Sequence, residues 1–299
     1  VTSLRNQLLI SLLRLTKRKS GLTAVLSSDT LFARMRQEMP EQPSKKMQHC
    51  IDVSLETFKG FELYTLKPKT PRPGQHVLYL HGGAYVRSIT RYHWRLLQQL
   101  VEEQGCTISV PLYPLAPEHT CAHAVPFALD VYALARERAA GQAVVVMGDS
   151  AGGGLALTLC LALRELQRAL PERLILICPW VDVEMENPAI VATDLTDPML
   201  NVQGLRTAGR LWAGTLPLGH PWPNPLRGDL TGLPAITMYA ATRDIVHHDS
   251  LALAAAARSQ GVKVDVHIGE GMIHVWPLLP IPEGRAARAE ISQLLQPPR

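Results

Sequence analysis

Val144-Val145-Val146-Met147-Gly148-Asp149-Ser150-Ala151-Gly152-Gly153 leads, after Gly154, into Leu155-Ala156-Leu157-Thr158-Leu159-Cys160-Leu161-Ala162-Leu163. A short β-branched run stops at Gly-Asp-Ser-Ala-Gly, and a helix-forming run begins at once. This is the strand, turn and helix order of a nucleophile elbow, G-x-S-x-G, which raises a serine hydroxyl above the end of a sheet. Gly148 and Gly152 stand where so tight a turn leaves no room for a side chain. The hydroxyl would sit at a helix N-terminus, where the dipole favours developing negative charge. Three fixed positions match by chance on the order of 0.1 times in a chain of this size. The flanking strand and helix therefore carry the assignment. The competing reading is a Gly-rich turn with Ser150 as an ordinary N-cap.

A serine hydroxyl attacks only when a base removes its proton. The base expected is a histidine held by a carboxylate, both later in the chain and at strand ends. Asp244, in Ala240-Ala241-Thr242-Arg243-Asp244-Ile245, follows an apolar strand starting at Ala235. His274, in Gly269-Glu270-Gly271-Met272-Ile273-His274, follows another starting at Val262. Carboxyl ends of strands are where open α/β sheets bind ligands. Competing residues fit less well. Asp249 falls at a helix start and suits a cap. His247 and His248 follow Asp244 too closely to meet it across a site and are expected on the surface. His267 alternates within a strand, as a surface or packing residue does. The third requirement is amide donors for an oxyanion. His81-Gly82-Gly83-Ala84 follows the buried run His76–Leu80, as the oxyanion loop of lipases and esterases does. Gly82 and Gly83 are its expected donors, with Ala151, the residue after the serine.

The rest of the chain supplies an α/β frame. Alternating apolar runs at Ile51–Thr57 and Phe61–Leu66, joined by Lys59-Gly60, predict an antiparallel hairpin. Strands are expected at His76–Leu80, Thr107–Pro111, Val144–Gly148, Leu174–Cys178, Ala235–Ala240 and Val262–Ile268. Helices fall between them at Trp94–Glu103, Phe127–Ala139, Leu155–Leu163 and Ser250–Ser259, with a last at Arg285–Leu295. Such alternation predicts a mostly parallel eight-stranded sheet flanked by helices. Prolines make Pro111–His119 an irregular loop. Residues 185–217 are the least periodic large stretch and read as an insertion over the site.

Composition narrows the function. The 299 residues carry 30 Lys and Arg against 26 Asp and Glu, a formal charge of +4. The basic residues are scattered and not interleaved with stacking aromatics, which excludes a nucleic-acid face. Five irregularly spaced cysteines show no C-x-x-C and no metal-type pairing. They suit a reducing compartment, so a cytoplasmic location is expected. No apolar run is long enough to span a membrane. Near the N-terminus the apolar stretch precedes its main charges, the wrong order for a signal peptide. Leu4, Leu8, Leu12 and Leu15 share one helix face. That face could lie on a membrane surface, but docking on the chain's own domain is the favoured reading.

These residues together resemble the α/β-hydrolase superfamily and, within it, the hormone-sensitive-lipase-like carboxylesterases, bacterial family IV. The resemblance runs from about residue 50 onward. It rests on His81-Gly-Gly-Ala84, Tyr113-Pro-Leu-Ala-Pro-Glu-His119, Gly148-Asp-Ser-Ala-Gly-Gly153, Pro179-Trp-Val-Asp182, Asp244 and Met272-Ile-His-Val275. It implies Ser150 as nucleophile, Asp244 and His274 as its partners, and Gly82, Gly83 and Ala151 as oxyanion donors. It also implies a helical cap. The division expected is 1–45 for N-terminal cap helices, 46–184 and 218–299 for the core, and 185–217 for a cap insertion. Ala84 replaces the usual fourth glycine of the loop and keeps its N–H. The family's proline after Glu118-His119 comes later here, at Pro126, so Thr120–Val125 read as a local insertion. Glu118 is expected to anchor its loop. Tyr85 and Trp212 are candidate pocket residues. The activity implied is hydrolysis of small, short- to medium-chain esters, with no metal and no cofactor. A homodimer through the edge strand at Val262–Ile268 is expected from relatives of this type. Two rival readings remain at this stage. One is an amidase or arylformamidase with the same triad; the other is a non-catalytic receptor for a small ligand.

Overall fold

The computed structural model describes residues 2–296. The chain opens with four helices, α1 (Leu4–Leu15), α2 (Gly21–Leu26), α3 (Asp29–Gln37) and α4 (Lys45–Cys50). A hairpin follows, β1 (Ile51–Phe58) and β2 (Phe61–Pro68). Strands and helices then alternate through β3 (His76–Leu80), α5 (Arg91–Gln104), β4 (Thr107–Pro111), α6 (Cys121–Arg138), β5 (Val144–Asp149), α7 (Ala151–Glu165) and β6 (Arg173–Ile177). Two helices, α8 (Ile190–Thr196) and α9 (Val202–Ala213), precede β7 (Ala235–Arg243), α10 (His247–Ser259), β8 (Val264–Ile273) and α11 (Pro282–Leu294).

The eight strands form one sheet in the order β1-β2-β4-β3-β5-β6-β7-β8. β1 and β2 are antiparallel, as are β2 and β4, and all remaining pairs are parallel. Lys59 and Gly60 both take positive φ, the twist that closes a two-residue hairpin. β3 and β5 are buried along their whole length, as expected of central strands covered on both faces. Ala151–Leu163 of α7 are buried too, so this helix lies inside the molecule. The parallel strands bring the ends of β3, β5, β7 and β8 to one edge of the sheet, and the candidate site residues lie there.

Helices from the two distant segments pack at that same edge. Thr23 of α2 donates to Asn201 at the start of α9 (2.9 Å), and Lys19 pairs with Asp194 of α8 (3.0 Å). Arg36 of α3 donates to the Ala116 carbonyl (2.6 Å) and to Glu118 (2.5 Å), which holds the proline loop.

Thr120–Val125, expected as a local insertion, form the N-cap and the opening residues of α6. Thr120 and His123 cap each other there, and Pro126 rides inside the helix, where it costs the preceding turn one hydrogen bond. Residues 185–217, expected as an insertion of a helical cap, hold two helices: α8 lies between Pro188 and Pro198, and α9 follows, with Asn201 capping it by accepting from the Gly204 amide (2.7 Å). β8 continues five residues past Ile268, which carries the strand up to His274. α1 does dock on its own domain, but through Asn6 and Ile10, while Leu4, Leu8, Leu12 and Leu15 face outward.

Candidate active site

Ser150 stands between β5 and α7 with φ 52° and ψ −122°. A non-glycine residue holds such angles only when its surroundings over-determine them. Its own amide donates to the Ile177 carbonyl (2.8 Å), and its carbonyl accepts from Gly154 (3.1 Å) and Trp180 (2.9 Å). The flanking glycines are a packing necessity. A Cβ on Gly152 would lie 2.0 Å from the Leu80 carbonyl oxygen, and one on Gly148 would lie 2.4 Å from that of Gly152.

β7 and β8 are neighbours, with Arg243 paired to Ile273. The next residue of each strand is Asp244 and His274, so the register alone sets them side by side. His274 Nδ1 is 2.7 Å from Asp244 Oδ2, and its Nε2 is 2.8 Å from Ser150 Oγ. All three side chains are buried, with Ser150 still 9% exposed. Asp244 Oδ1 accepts from the Val246 amide (3.1 Å). Burial by itself would depress the His274 pKa, but the Asp244 charge and hydrogen bond, with Asp197 and Asp149 beyond, outweigh it and raise it.

The loop after β3 lies beside the elbow, because Leu80 pairs with Gly148. Gly82 does not offer a free amide there: its N–H donates to Asp149 Oδ1 (3.0 Å). Among the described residues the amides of Gly83, Ala84 and Ala151 have no acceptor. The last belongs to the unpaired first turn of α7. Gly83 takes φ 129° and Ala84 φ 54°, which turns this backbone sharply past the serine. His81 is buried against Tyr113, ring on ring at 4.5 Å, and Tyr113 donates to the His81 carbonyl (2.7 Å).

Two carboxylates that the sequence reading passed over hold this geometry. Asp149 is buried and receives Tyr79 Oη–H (2.5 Å) and the Gly82 amide on one oxygen. Its other oxygen faces His93 Nε2 (3.3 Å). Burial would raise its pKa, but His93, Tyr79 and Gly82 together hold it below the usual carboxylate range. Asp197, just after α8, accepts from Met199 (2.7 Å), Leu200 (2.9 Å) and Ile245 (3.0 Å). It therefore ties the segment after α8 to the backbone next to Asp244. Burial, then the neighbouring Asp244 charge, push its pKa up to about 6. The middle Asp of Gly148-Asp149-Ser150 was a legible signal for the first. Nothing local marks Asp197.

Cys178, neutral because burial raises its pKa, completes a cluster with Asp244 and His274 in which the potential ligand atoms lie within 4.8 Å of one another. All five cysteines are free thiols.

The competing residues fall elsewhere. Asp249 sits in the first turn of α10, buried, with Asn187 donating to it (3.1 Å). His247 and His248, expected on the surface, are half-buried; His248 Nε2 bonds Thr193 Oγ1 (2.7 Å). His267 is partly exposed, stacked on Tyr239 and near Asp265 and Glu290. Tyr85 and Trp212, the candidate pocket residues, are buried and stack on each other at 3.8 Å. A depression of about 480 Å³ between α6 and α7, lined by Tyr132, Arg136 and Arg168, opens at the opposite edge of the sheet, away from Ser150.

A family model described as alpha/beta hydrolase fold matches residues 77–278. The acetyl-hydrolase of Streptomyces hygroscopicus is 35% identical over 220 residues, covering 72% of this chain and 73% of that protein. The ethyl acetate hydrolase of Pseudomonas putida is 31% identical over 246 residues, covering 75% of each. The solved structure of an esterase from the bacterial hormone-sensitive lipase family superposes with a TM-score of 0.77 at 27% identity, across 93% of this chain and 98% of that one.

Proposed function

Because the chain belongs to the α/β-hydrolase fold family, among its hormone-sensitive-lipase-like carboxylic ester hydrolases, we propose that Ser150 is the nucleophile, His274 the general base and Asp244 the carboxylate that orients the base. The observation that carries this reading is the pair of hydrogen bonds running from Asp244 through His274 to Ser150 Oγ, 2.7 and 2.8 Å.

In the first step His274 Nε2 takes the Ser150 proton as Oγ bonds to the ester carbonyl carbon. The carbonyl oxygen becomes an oxyanion. Its donors are the amides of Gly83, Ala84 and Ala151, which have no other acceptor among the described residues, rather than Gly82, which Asp149 already occupies. One such donor is worth about 2.7–4 kcal/mol of barrier. The tetrahedral species collapses, the C–O bond to the alcohol breaks, and His274 returns its proton to the leaving oxygen. Water then attacks the acyl-enzyme with His274 again as base. The carboxylic acid leaves and Ser150 regains its proton.

α1–α3 and α8–α9 are the cap in this reading, since they gather over the strand ends that hold the three residues. The substrates are short- to medium-chain esters. Two relatives named for acetyl and ethyl acetate hydrolysis support that choice, as does the small exposure of Ser150. A second copy would add at the open edge of β8, where Ile268 is exposed.

Turnover of p-nitrophenyl acetate, butyrate, octanoate and palmitate tests the substrate class, with the maximum expected before palmitate. A maximum at palmitate overturns it. A fluorophosphonate probe is expected to label wild type and not Ser150→Ala. Equal labelling of both would move the nucleophile elsewhere.

A further inference from the structure

We propose that α1 is a docking surface for an anionic phospholipid membrane. The helix is apolar on two opposite faces. One is used inside the molecule: Ile10 is buried, Leu9 and Leu13 pack on the core, and Asn6 Nδ2 donates to the Gly271 carbonyl (3.2 Å). The other carries Leu4, Leu8, Leu12 and Leu15, which are 70%, 61%, 55% and 80% exposed. Their spacing lines them along one side of the helix over roughly 16 Å. A helix docked on its own domain needs one apolar stripe, not two. Single exposed leucines are ordinary; a row of them is not.

The charges around the row select its occupant. Residues 1–28 contain no Asp or Glu, but five basic residues, Arg5, Arg14, Lys17, Arg18 and Lys19. Lys19 is paired with Asp194. The other four are exposed and form no salt bridge among the described residues. Glu283, the acid nearest the start of the helix, is taken up by the Ser3 amide and hydroxyl. Asp194 lies between Val191 and Leu195 of α8, which are themselves 70% and 84% exposed. Leucines set among unpaired cations are the chemistry of a helix lying in a bilayer interface, with acyl chains under the apolar side and anionic headgroups at the rim. A second copy of this chain would oppose one cationic rim with another. A protein partner would call for aromatic anchors or a pocket, and the row offers neither. The anchor on Gly271, three residues before His274, puts the docking face at the edge of the sheet that carries the candidate site. The inference does not depend on the catalytic assignment, because binding is read without turnover.

The test is co-sedimentation of the full chain with phosphatidylcholine vesicles, with and without phosphatidylserine. Wild type is expected to bind the phosphatidylserine vesicles and to be released by salt. Arg14→Gln/Lys17→Gln/Arg18→Gln should weaken binding by about fivefold for each charge removed. Leu8→Gln/Leu12→Gln should weaken it by about tenfold for each leucine. Both variants change exposed residues and should keep the circular dichroism and the turnover of a soluble ester. The proposal is overturned if wild type ignores phosphatidylserine vesicles, if it binds both vesicle types equally, or if the leucine variant binds as wild type does. It is also overturned if the leucines abolish only a concentration-dependent dimer, which would make the row a contact between copies.

Discussion

Replacing Asp149 with Asn exchanges a single oxygen for NH₂, yet it should damage both stability and turnover. In the folded protein the carboxylate accepts from Tyr79 and Gly82 on one oxygen and faces His93 Nε2 on the other. His93 Nδ1 accepts the Thr90 amide (2.9 Å), which leaves the ring proton on Nε2, aimed at Asp149. Whichever way an Asn is turned, its NH₂ meets an N–H: that of His93 or that of Gly82. Hydrogen bonds to a charged acceptor contribute about 1.5–3 kcal/mol and neutral ones about 0.5–1.5. The two surviving bonds each weaken by roughly 1 kcal/mol, and the opposed donors, buried and unmet, cost about 1–3 more. The sum is about 3–5 kcal/mol, a large share of a typical domain's 5–15. Gly82 is also the residue before the proposed donor Gly83. If its anchor slips, the oxyanion site loses about one donor, or about 10²–10³ in kcat, with KM little changed. Urea unfolding followed by circular dichroism gives the first quantity, and p-nitrophenyl acetate hydrolysis without denaturant gives the second. An Asn variant within about 0.5 kcal/mol of wild type, with unchanged kcat, would refute the reasoning.

Asp244→Asn should lower kcat by about 10⁴, by analogy with the same change in a serine protease. His274 works unprotonated and its pKa is raised above its ordinary 6.5, so wild-type kcat/KM should decline as pH falls through a value above 6.5. Without the Asp244 charge the inflection should move to lower pH; an unmoved inflection would count against the pairing. Asp197→Asn turns an NH₂ toward the Ile245 amide and should cost on the order of tenfold in kcat at similar KM, the equivalent of one lost hydrogen bond. Wild-type kcat in that variant would leave Asp197 without a positioning role. Asp249 has its pKa raised to about 7, first by burial and then by Asp182. Its folded value lies above the unfolded one, so its ionisation penalises the folded state as pH rises through about 7. Asp249→Asn should therefore be more stable than wild type by about 1–3 kcal/mol at alkaline pH, and the gain should vanish as pH falls toward the unfolded carboxylate pKa. A pH-independent difference would show that burial of the charge is not the cause.

The order of strands and helices, the sharp turn at Ser150 and the places of Asp244 and His274 were all legible in the sequence. Each rests on a local pattern: a β-branched run, a glycine where no Cβ fits, or a polar residue just past the end of an apolar strand. Tertiary structure decided what depends on residues far apart in the chain. Asp149 claims the Gly82 amide across 67 positions, so the donors proposed for the oxyanion shift along the loop to Gly83 and Ala84. Asp197 reaches Ile245 across 48, and no spacing rule marks it. Tyr85 and Trp212 read as pocket aromatics, and only the tertiary structure shows that their rings stack on each other. The first helix shows the division most clearly. Leucine periodicity fixed that it is a helix, yet two apolar faces compete for one core, and only tertiary contacts, among them the bond from Asn6 to the Gly271 carbonyl of β8, determined that Asn6 and Ile10 turn inward while four leucines meet solvent.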